Sequence, residues 1–341
     1  MKALVIHGKQ DLREQEWATP EPQDGQVRVR IAWGGICGSD LHYYHEGANG
    51  AFVVREPLIP GHELSGTVDL DPSGELAPGT PVTFHPATFG ECQPGLEELP
   101  HLWPKGAYLG SASTTPHTQG GMSEYLVVTR GMIRVLPEGL SLKRAALTEP
   151  LAVALHGINV AGGVEGKRVL VCGSGPIGLL TAAAALAKGA REVTATDVFE
   201  GPLERARGLG VHHTIRIGEQ TPDAEAYDVA LECSGVPASI DTAIRAVRRA
   251  GIIAQIGMMG AGPQPLELAM LISKEIQLRG CFRFNQEVDE AIELLARDDR
   301  FDQVITHEVP ADRAVDAFAT AKDAQVSGKV LVSLWPQQQG T

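Results

Sequence analysis

A cysteine, a histidine and two carboxylates stand in short motifs that could converge on one metal ion. The motifs are Cys37-Gly38-Ser39-Asp40-Leu41-His42 and Gly61-His62-Glu63. Thiolate, imidazole and carboxylate are the ligand types that zinc prefers, and a catalytic zinc keeps one coordination position open. Thr148-Glu149-Pro150 places a further carboxylate just before a helical stretch. Each residue alone also has a plain structural reading: Cys37 as a small buried hydrophobe, His62 as a turn histidine, Glu149 as a helix-terminal acid.

A second constellation points to a nucleotide. Gly173-Ser174-Gly175-Pro176-Ile177-Gly178 fits G-x-G-x-x-G, and Asp197 follows Gly175 by 22 residues. The pattern follows a strand-like run and opens a helix-like one, with the acid at the end of the next strand, which is the context it requires. The glycines permit a tight turn and close approach to a pyrophosphate, and the helix N-terminus offers oriented N–H groups to the anion. Asp197 would accept hydrogen bonds from ribose hydroxyls and repel a 2′-phosphate. Val198 and Phe199 supply no compensating cation, so the spacing favours NAD over NADP.

The elements that must position these residues fall into two parts. Up to about Pro137 the chain is turn-rich and strand-rich, with Val27 to Ile31 alternating like a half-buried strand. A helix is expected over 141–161, capped by Ser141. From Gly166 onward strands are expected at 168–172, 192–196, 228–231, 252–256 and 275–278, and helices at 177–188, 203–209 and 238–247. That alternation predicts a doubly wound parallel sheet. Helices at 288–296 and 314–321 and a strand at 329–334 follow, then a short polar tail, Gln337 to Thr341.

The 341 residues suffice for two domains with real cores. A net charge of −13 argues against nucleic acid or an anionic membrane face as partner. The Met1–Ile6 run is too short for a signal-peptide core, and the apolar stretch Ile177–Ala187 is far short of the ~20 residues that span a bilayer. Cys37, Cys92, Cys172, Cys233 and Cys281 are odd in number and unpaired in spacing, so a reducing, cytoplasmic setting is expected.

Taken in order, CGSD-LH, PGHE, TEPLAVALHG, GSGPIG with its downstream Asp197, and GMMGAG resemble the zinc-containing medium-chain alcohol dehydrogenases over essentially the whole chain. Within them the likeness is to the polyol dehydrogenases of the sorbitol and xylitol kind. It is closer still to the L-idonate 5-dehydrogenases, carried by GGICGSDLHYYHEG (34–47), GSASTTPHTQGG (110–121) and KEIQLRGCFRF (274–284). The resemblance implies an α/β protein, with a GroES-like, mostly β catalytic domain from 1–150 and 282–341 and a Rossmann NAD-binding domain from 151–281. It implies Cys37, His62 and Glu63 as zinc ligands, and Glu149 as a ligand or as the holder of zinc's water. It implies Ser39 and His42 as a proton relay and Tyr43, Glu149, Arg283 and Phe284 as substrate contacts. Ile256, Gly257, Met258, Cys281, Phe282 and Arg283 would line the nicotinamide. A dimer or tetramer is expected, with a small molecule as substrate.

Two departures matter. The lobe that holds a structural zinc in many members corresponds to about His85 to Gly110, which has only Cys92. His85, Glu91, Glu97, Glu98 and His101 are poor substitutes for four thiolates, so one zinc per chain is expected. Pro202 stands where polyol dehydrogenases often carry an arginine. The reaction expected is oxidation of a secondary alcohol of a sugar acid or polyol, foremost L-idonate to 5-ketogluconate. A sorbitol- or xylitol-type activity is the alternative, and a non-catalytic nucleotide-binding relative would have no need of Cys37, His62 and Glu63. Arg283, Arg55, His45 and His117 are the candidate cations for a substrate carboxylate, with Arg283 first, because the resemblance places its counterpart near the substrate.

Overall fold

The computed structural model describes residues 1–335; the polar tail from Gln337 to Thr341 lies outside them. The chain forms two compact units, and the expected two-part α/β architecture is borne out. Among the described residues the first unit holds Met1–Glu149, Ile305–Lys322 and Lys329–Trp335; the second holds Pro150–Val304 and Asp323–Gly328.

The expected return to the first domain at residue 282 is corrected. Residues 282–304 stay with the second unit, because the helix Val288–Arg297 is amphipathic and buries Val288, Ala291, Ile292, Leu294 and Leu295. Its Glu290 pairs with Lys188, and Glu287 at its cap accepts from His156 Nδ1 at 2.9 Å and Asn159 Nδ2 at 3.1 Å. The chain rejoins the first unit at the strand Ile305–Pro310.

The first unit is built on a mostly antiparallel sheet. Its order is Ile133–Val135, Pro81–Phe84, Glu63–Leu70, Gln26–Gly35, Lys329–Ser333 and Ile305–Pro310, and Tyr125–Thr129 also pairs with Gln26–Gly35. Val27, Val29 and Ile31 face the core while their neighbours are half-exposed, as a half-buried strand requires. The register sets Gly35 opposite Glu63 on one side and Leu331 on the other, so the end of the central strand lies between two segments distant in sequence.

The helix expected over 141–161 is two helices, Leu142–Ala145 and Thr148–Val160. Ser141 caps the first, accepting from Arg144 N at 3.2 Å. Pro150 explains the break: inside a continuous helix it removes a donor and clashes with the preceding turn, whereas in a new first turn the missing N–H is not needed.

The second unit carries a six-stranded parallel sheet in the order His213–Arg216, Glu192–Asp197, Arg168–Cys172, Tyr227–Glu232, Val247–Gln255, Gln277–Gly280. Numbered along the chain this is 3-2-1-4-5-6, the dinucleotide-fold order. The short strand His213–Arg216 and the helix Leu268–Ser273 were not expected, and the last strand lies two residues later than expected. The helix Pro176–Ala187 packs tightly on the first strand: a Cβ at Gly178 would lie 1.8 Å from the Gly173 carbonyl oxygen. Gly178→Ala should therefore force the helix from the sheet and cost about 1–3 kcal/mol. Denaturant unfolding measures this, and an unchanged midpoint would contradict the packing.

Candidate functional site

Cys37 is the N-cap of the helix Gly38–Glu46, and Ser39 lies inside its first turn. Asp40 is fully buried. One of its oxygens accepts from Cys37 N at 3.0 Å and the other from Gly61 N at 3.1 Å. A single carboxylate thus fastens the loop that carries Cys37 to the loop that carries His62. Glu63 begins its strand opposite Gly35, where a Cβ would lie 2.0 Å from Glu63 Oε2; only glycine leaves room for that carboxylate. The result is the one cluster of its kind among the described residues, with ligand atoms of Cys37, His62 and Glu63 all within 4.8 Å of one another.

The chemistry of this set suits zinc. His62 is buried, and its Nδ1 has no hydrogen-bond partner. Burial alone would lower its pKa, but the Cys37 thiolate, Asp40 and Glu149 outweigh that and raise it to about 10. The pocket therefore attracts positive charge to the point where sulfur and imidazole meet, and thiolate, imidazole and carboxylate are all donors that zinc accepts, at ~2.0–2.3 Å.

The sequence reading missed Lys329. Its ammonium donates to both Glu63 oxygens at 2.7 Å and to the Ile36 carbonyl at 3.2 Å. Both side chains are almost completely buried. Burial lowers the lysine pKa, yet Glu63, Cys37 and Glu149 together hold it above its ordinary value. Nothing in the local sequence Lys329-Val-Leu-Val marks this role; the strand pairing that brings Val330 O to Ile36 N at 3.1 Å delivers the lysine.

Glu149 lies outside the three-residue cluster. It accepts from the Tyr108 hydroxyl at 2.6 Å, and the Tyr108 ring stands edge-on to His62 with centroids 5.3 Å apart. Burial raises the Glu149 pKa, with Glu63 adding to it, against the opposing pull of His62, Tyr108 and Lys329. Ser39 and His42 lie three residues apart and share one helix face; Ser39 is half-buried and His42 exposed, 3.3 Å from Glu46. Tyr43 is buried, and its oxygen accepts from Ala112 N at 3.1 Å and lies 3.3 Å from Ser111 Oγ. Here it props a loop rather than facing a substrate.

In the second unit Gly175 caps the helix that begins with Pro176 and Ile177. Asp197 ends its strand and is fixed by Ser174 N at 2.9 Å and Phe199 N at 3.0 Å, one to each oxygen. Val198 and Phe199 bring no cation, but the sheet register sets Arg216 directly beside Asp197. Arg216 reaches the Val198 carbonyl at 3.4 Å and pairs with Glu219 at 2.8 Å.

Buried Glu232, also missed, organises the neighbouring strand end, accepting from Ser234 N and Gly235 N at 2.9 Å. Its carbonyl takes the amides of Ile256 and Gly257 at 2.8 Å, leaving Met258 exposed. Cys281 N donates to Gln255 O at 2.9 Å. The Arg283 guanidinium lies over the Phe282 ring at 4.8 Å. Phe284 is 1% exposed, so the expected substrate contact is corrected: it is a core residue of the second unit. The other nucleotide candidates gather at the carboxyl ends of parallel strands, where this sheet type binds ligands.

With fold and site in view, the chain belongs to the zinc-binding alcohol dehydrogenase family. An alcohol dehydrogenase GroES-like domain matches residues 23–138 and a zinc-binding dehydrogenase domain residues 176–297. Within the family it groups with the polyol and sugar-alcohol enzymes. It is 32% identical to sorbitol dehydrogenase of Macaca fascicularis, over 99% of this chain and 97% of that one. It is 36% identical to L-idonate 5-dehydrogenase (NAD(P)(+)) of Escherichia coli, over 86% and 87%. The crystal structure of L-idonate 5-dehydrogenase from that species superposes with a TM-score of 0.92 at 33% identity, covering 97% of both chains. No helix among the described residues is long and apolar enough to cross a membrane.

Lys329→Met should strand the Glu63 carboxylate without a partner. Breaking one side of a buried pair costs about 3–5 kcal/mol, whereas Lys329→Arg should restore much of the loss. Denaturant unfolding of the three proteins checks this, and equal stability of Lys329→Met and wild type would contradict it.

Proposed function

We propose that the chain oxidises a secondary alcohol of a sugar acid to a ketone with NAD, and that its reaction is L-idonate to 5-ketogluconate. The observation that carries the reading is the buried Cys37–His62–Glu63 cluster beside the Tyr108–Glu149 pair. One zinc per chain would be held by Cys37 and His62, with Glu63 as third donor. Zinc in that position supplies Lewis acidity, which lowers the pKa of a bound hydroxyl.

The chain's own groups do the rest. Lys329 balances the carboxylate charge of Glu63. Glu149, with its raised pKa and its bond to Tyr108, fits the holding of water or a proton better than direct ligation. Ser39 receives the hydroxyl proton, and His42, whose side chain is solvent-exposed, passes it outward. A bound NAD would supply the two-electron acceptor, taking up the hydride that the alcohol carbon gives up on oxidation. In the second unit Gly173 and Gly175 would leave room for the pyrophosphate, Gly178 keeps the helix close to the strand, and Asp197 would accept from the ribose. Ile256 to Met258 and Cys281 to Arg283 line the nicotinamide. All five cysteines are free, which suits a reducing, cytoplasmic compartment.

A sorbitol- or xylitol-type activity is the second reading, favoured by the near full-length similarity to sorbitol dehydrogenases. The two differ at the end of the substrate remote from the reacting carbon, carboxylate in one and hydroxymethyl in the other. NAD is preferred because Asp197 opposes a 2′-phosphate; Arg216 beside it moderates the preference, and the E. coli relative is named for both cofactors. Steady-state kinetics with L-idonate, sorbitol and xylitol, each with NAD and NADP, tests this. The expectation is the highest kcat/KM for L-idonate with NAD. Higher efficiency on sorbitol moves the function to the second reading, and higher efficiency with NADP overturns the role given to Asp197.

A further inference from the structure

The first unit carries a small open cleft of about 120 Å³ whose walls include Phe52, Val53, Arg55, Ala112, Ser113 and His117. One wall is the segment around Phe52 to Arg55. The other is the tip of a loop that closes on itself where Ser111 and Thr118 exchange backbone hydrogen bonds of 3.0 and 3.1 Å. Both feet of that loop stand at the metal-ligand cluster. Tyr108 meets His62 and Glu149 at one foot, and Gly121 N donates to Gly61 O at 3.1 Å at the other. The Tyr43 hydroxyl pins the loop between foot and tip. The cleft wall is thus a fixed extension of the structure that carries the reacting end of the site.

Two basic side chains border this cleft, and the structure separates their roles. His117 is buried and both ring nitrogens are committed. Nε2 accepts from Arg55 N at 3.0 Å, and Nδ1 therefore carries the proton donated to Thr114 O at 2.9 Å. That pattern requires the neutral ring, so His117 is a prop and not a cation. The neighbouring Glu56 is engaged by the backbone N–H of His117. The Arg55 guanidinium makes no hydrogen bond or ion pair with other described residues, although its backbone is held by His117. Its side chain is exposed at the cleft. Phe52 and Val53 beside it are 44% and 42% exposed, an apolar surface against which a carbon chain can lie. Ser113 Oγ accepts from Ser111 Oγ at 3.0 Å, which leaves its own proton to give.

We infer that Arg55 receives the carboxylate of the substrate in this cleft, with the Ser113 hydroxyl as second donor, and so sets the preference for a sugar acid over a neutral polyol. The inference rests on the sugar-acid reading above and deepens it. Four C–C bonds of about 1.5 Å separate the carboxyl carbon from carbon 5, so the charge must be met on the order of 5 Å from the reacting carbon. A guanidinium does this well because its planar fork matches both carboxylate oxygens.

Arg55→Gln and Arg55→Lys test the assignment, with circular dichroism to confirm that each variant is folded. In Arg55→Gln the ratio of kcat/KM for L-idonate to that for sorbitol should fall roughly 5- to 30-fold, the lower range for a charge pair open to solvent. The loss should sit in KM, with kcat for L-idonate little changed. Arg55→Lys should recover part of it, and added salt should weaken L-idonate binding in wild type more than in Arg55→Gln. Wild type that prefers L-idonate together with an unchanged ratio in Arg55→Gln overturns the role of Arg55 and leaves the sugar-acid reading standing. Wild type that prefers sorbitol overturns that reading, and this inference with it.

Discussion

Burying a carboxylate next to a thiolate and a second carboxylate is unfavourable unless positive charge is buried with them. Each ion taken from water costs several kcal/mol, recovered only through close, well-made partners. In this chain the partner is Lys329, with its ammonium 2.7 Å from both oxygens of Glu63. Much of the first unit follows from that requirement. The cation comes from the C-terminal strand, so the chain must leave the nucleotide-type unit and insert Lys329–Ser333 beside the central strand Gln26–Gly35. Gly35 must lack a side chain, because the space a Cβ would take is filled by the Glu63 carboxylate. Asp40 must be buried so that the two ligand loops keep their spacing. The Cys37 sulfur, Asp40 and Glu149 beside His62 hold its pKa up to about 10 against the effect of burial, and a metal cation held at this point would meet the same surroundings.

The same logic divides what could be read from sequence from what could not. Gly173 to Gly178 and Asp197 were legible because their chemistry is local: turn, helix start and strand end lie within one strand–helix–strand unit. Cys37, His62 and Glu63 were legible as ligand types in short motifs, and the structure brings them together. Asp40 could have been found too, as the acid three residues after a cap position in a capping-box pattern. The break before Pro150 followed from a local rule that was not applied to the helix expected there.

Lys329 and Arg216 were not legible, for a shared reason. Each reaches its place through strand register, 266 residues from Glu63 in one case and across a parallel pair from Asp197 in the other. No window along the chain contains that information. Phe284 was misassigned because an aromatic next to Arg283 looks the same in sequence whether it faces a ligand or a core; only packing distinguishes them. Tyr43 illustrates the intermediate case. It was expected as a substrate contact, and its oxygen is engaged by the loop at Ser111 and Ala112.

The central claim is that one zinc is held by a single thiolate with nitrogen and oxygen donors, in a pocket whose charge is balanced by Lys329. X-ray absorption at the zinc edge of the purified protein tests it most directly, because the scattering counts sulfur ligands. The account predicts one zinc per chain with one sulfur at about 2.3 Å and nitrogen or oxygen donors at about 2.0–2.2 Å, and loss of that zinc in Cys37→Ser. A spectrum dominated by several sulfur neighbours, or a zinc that remains in Cys37→Ser, would contradict it.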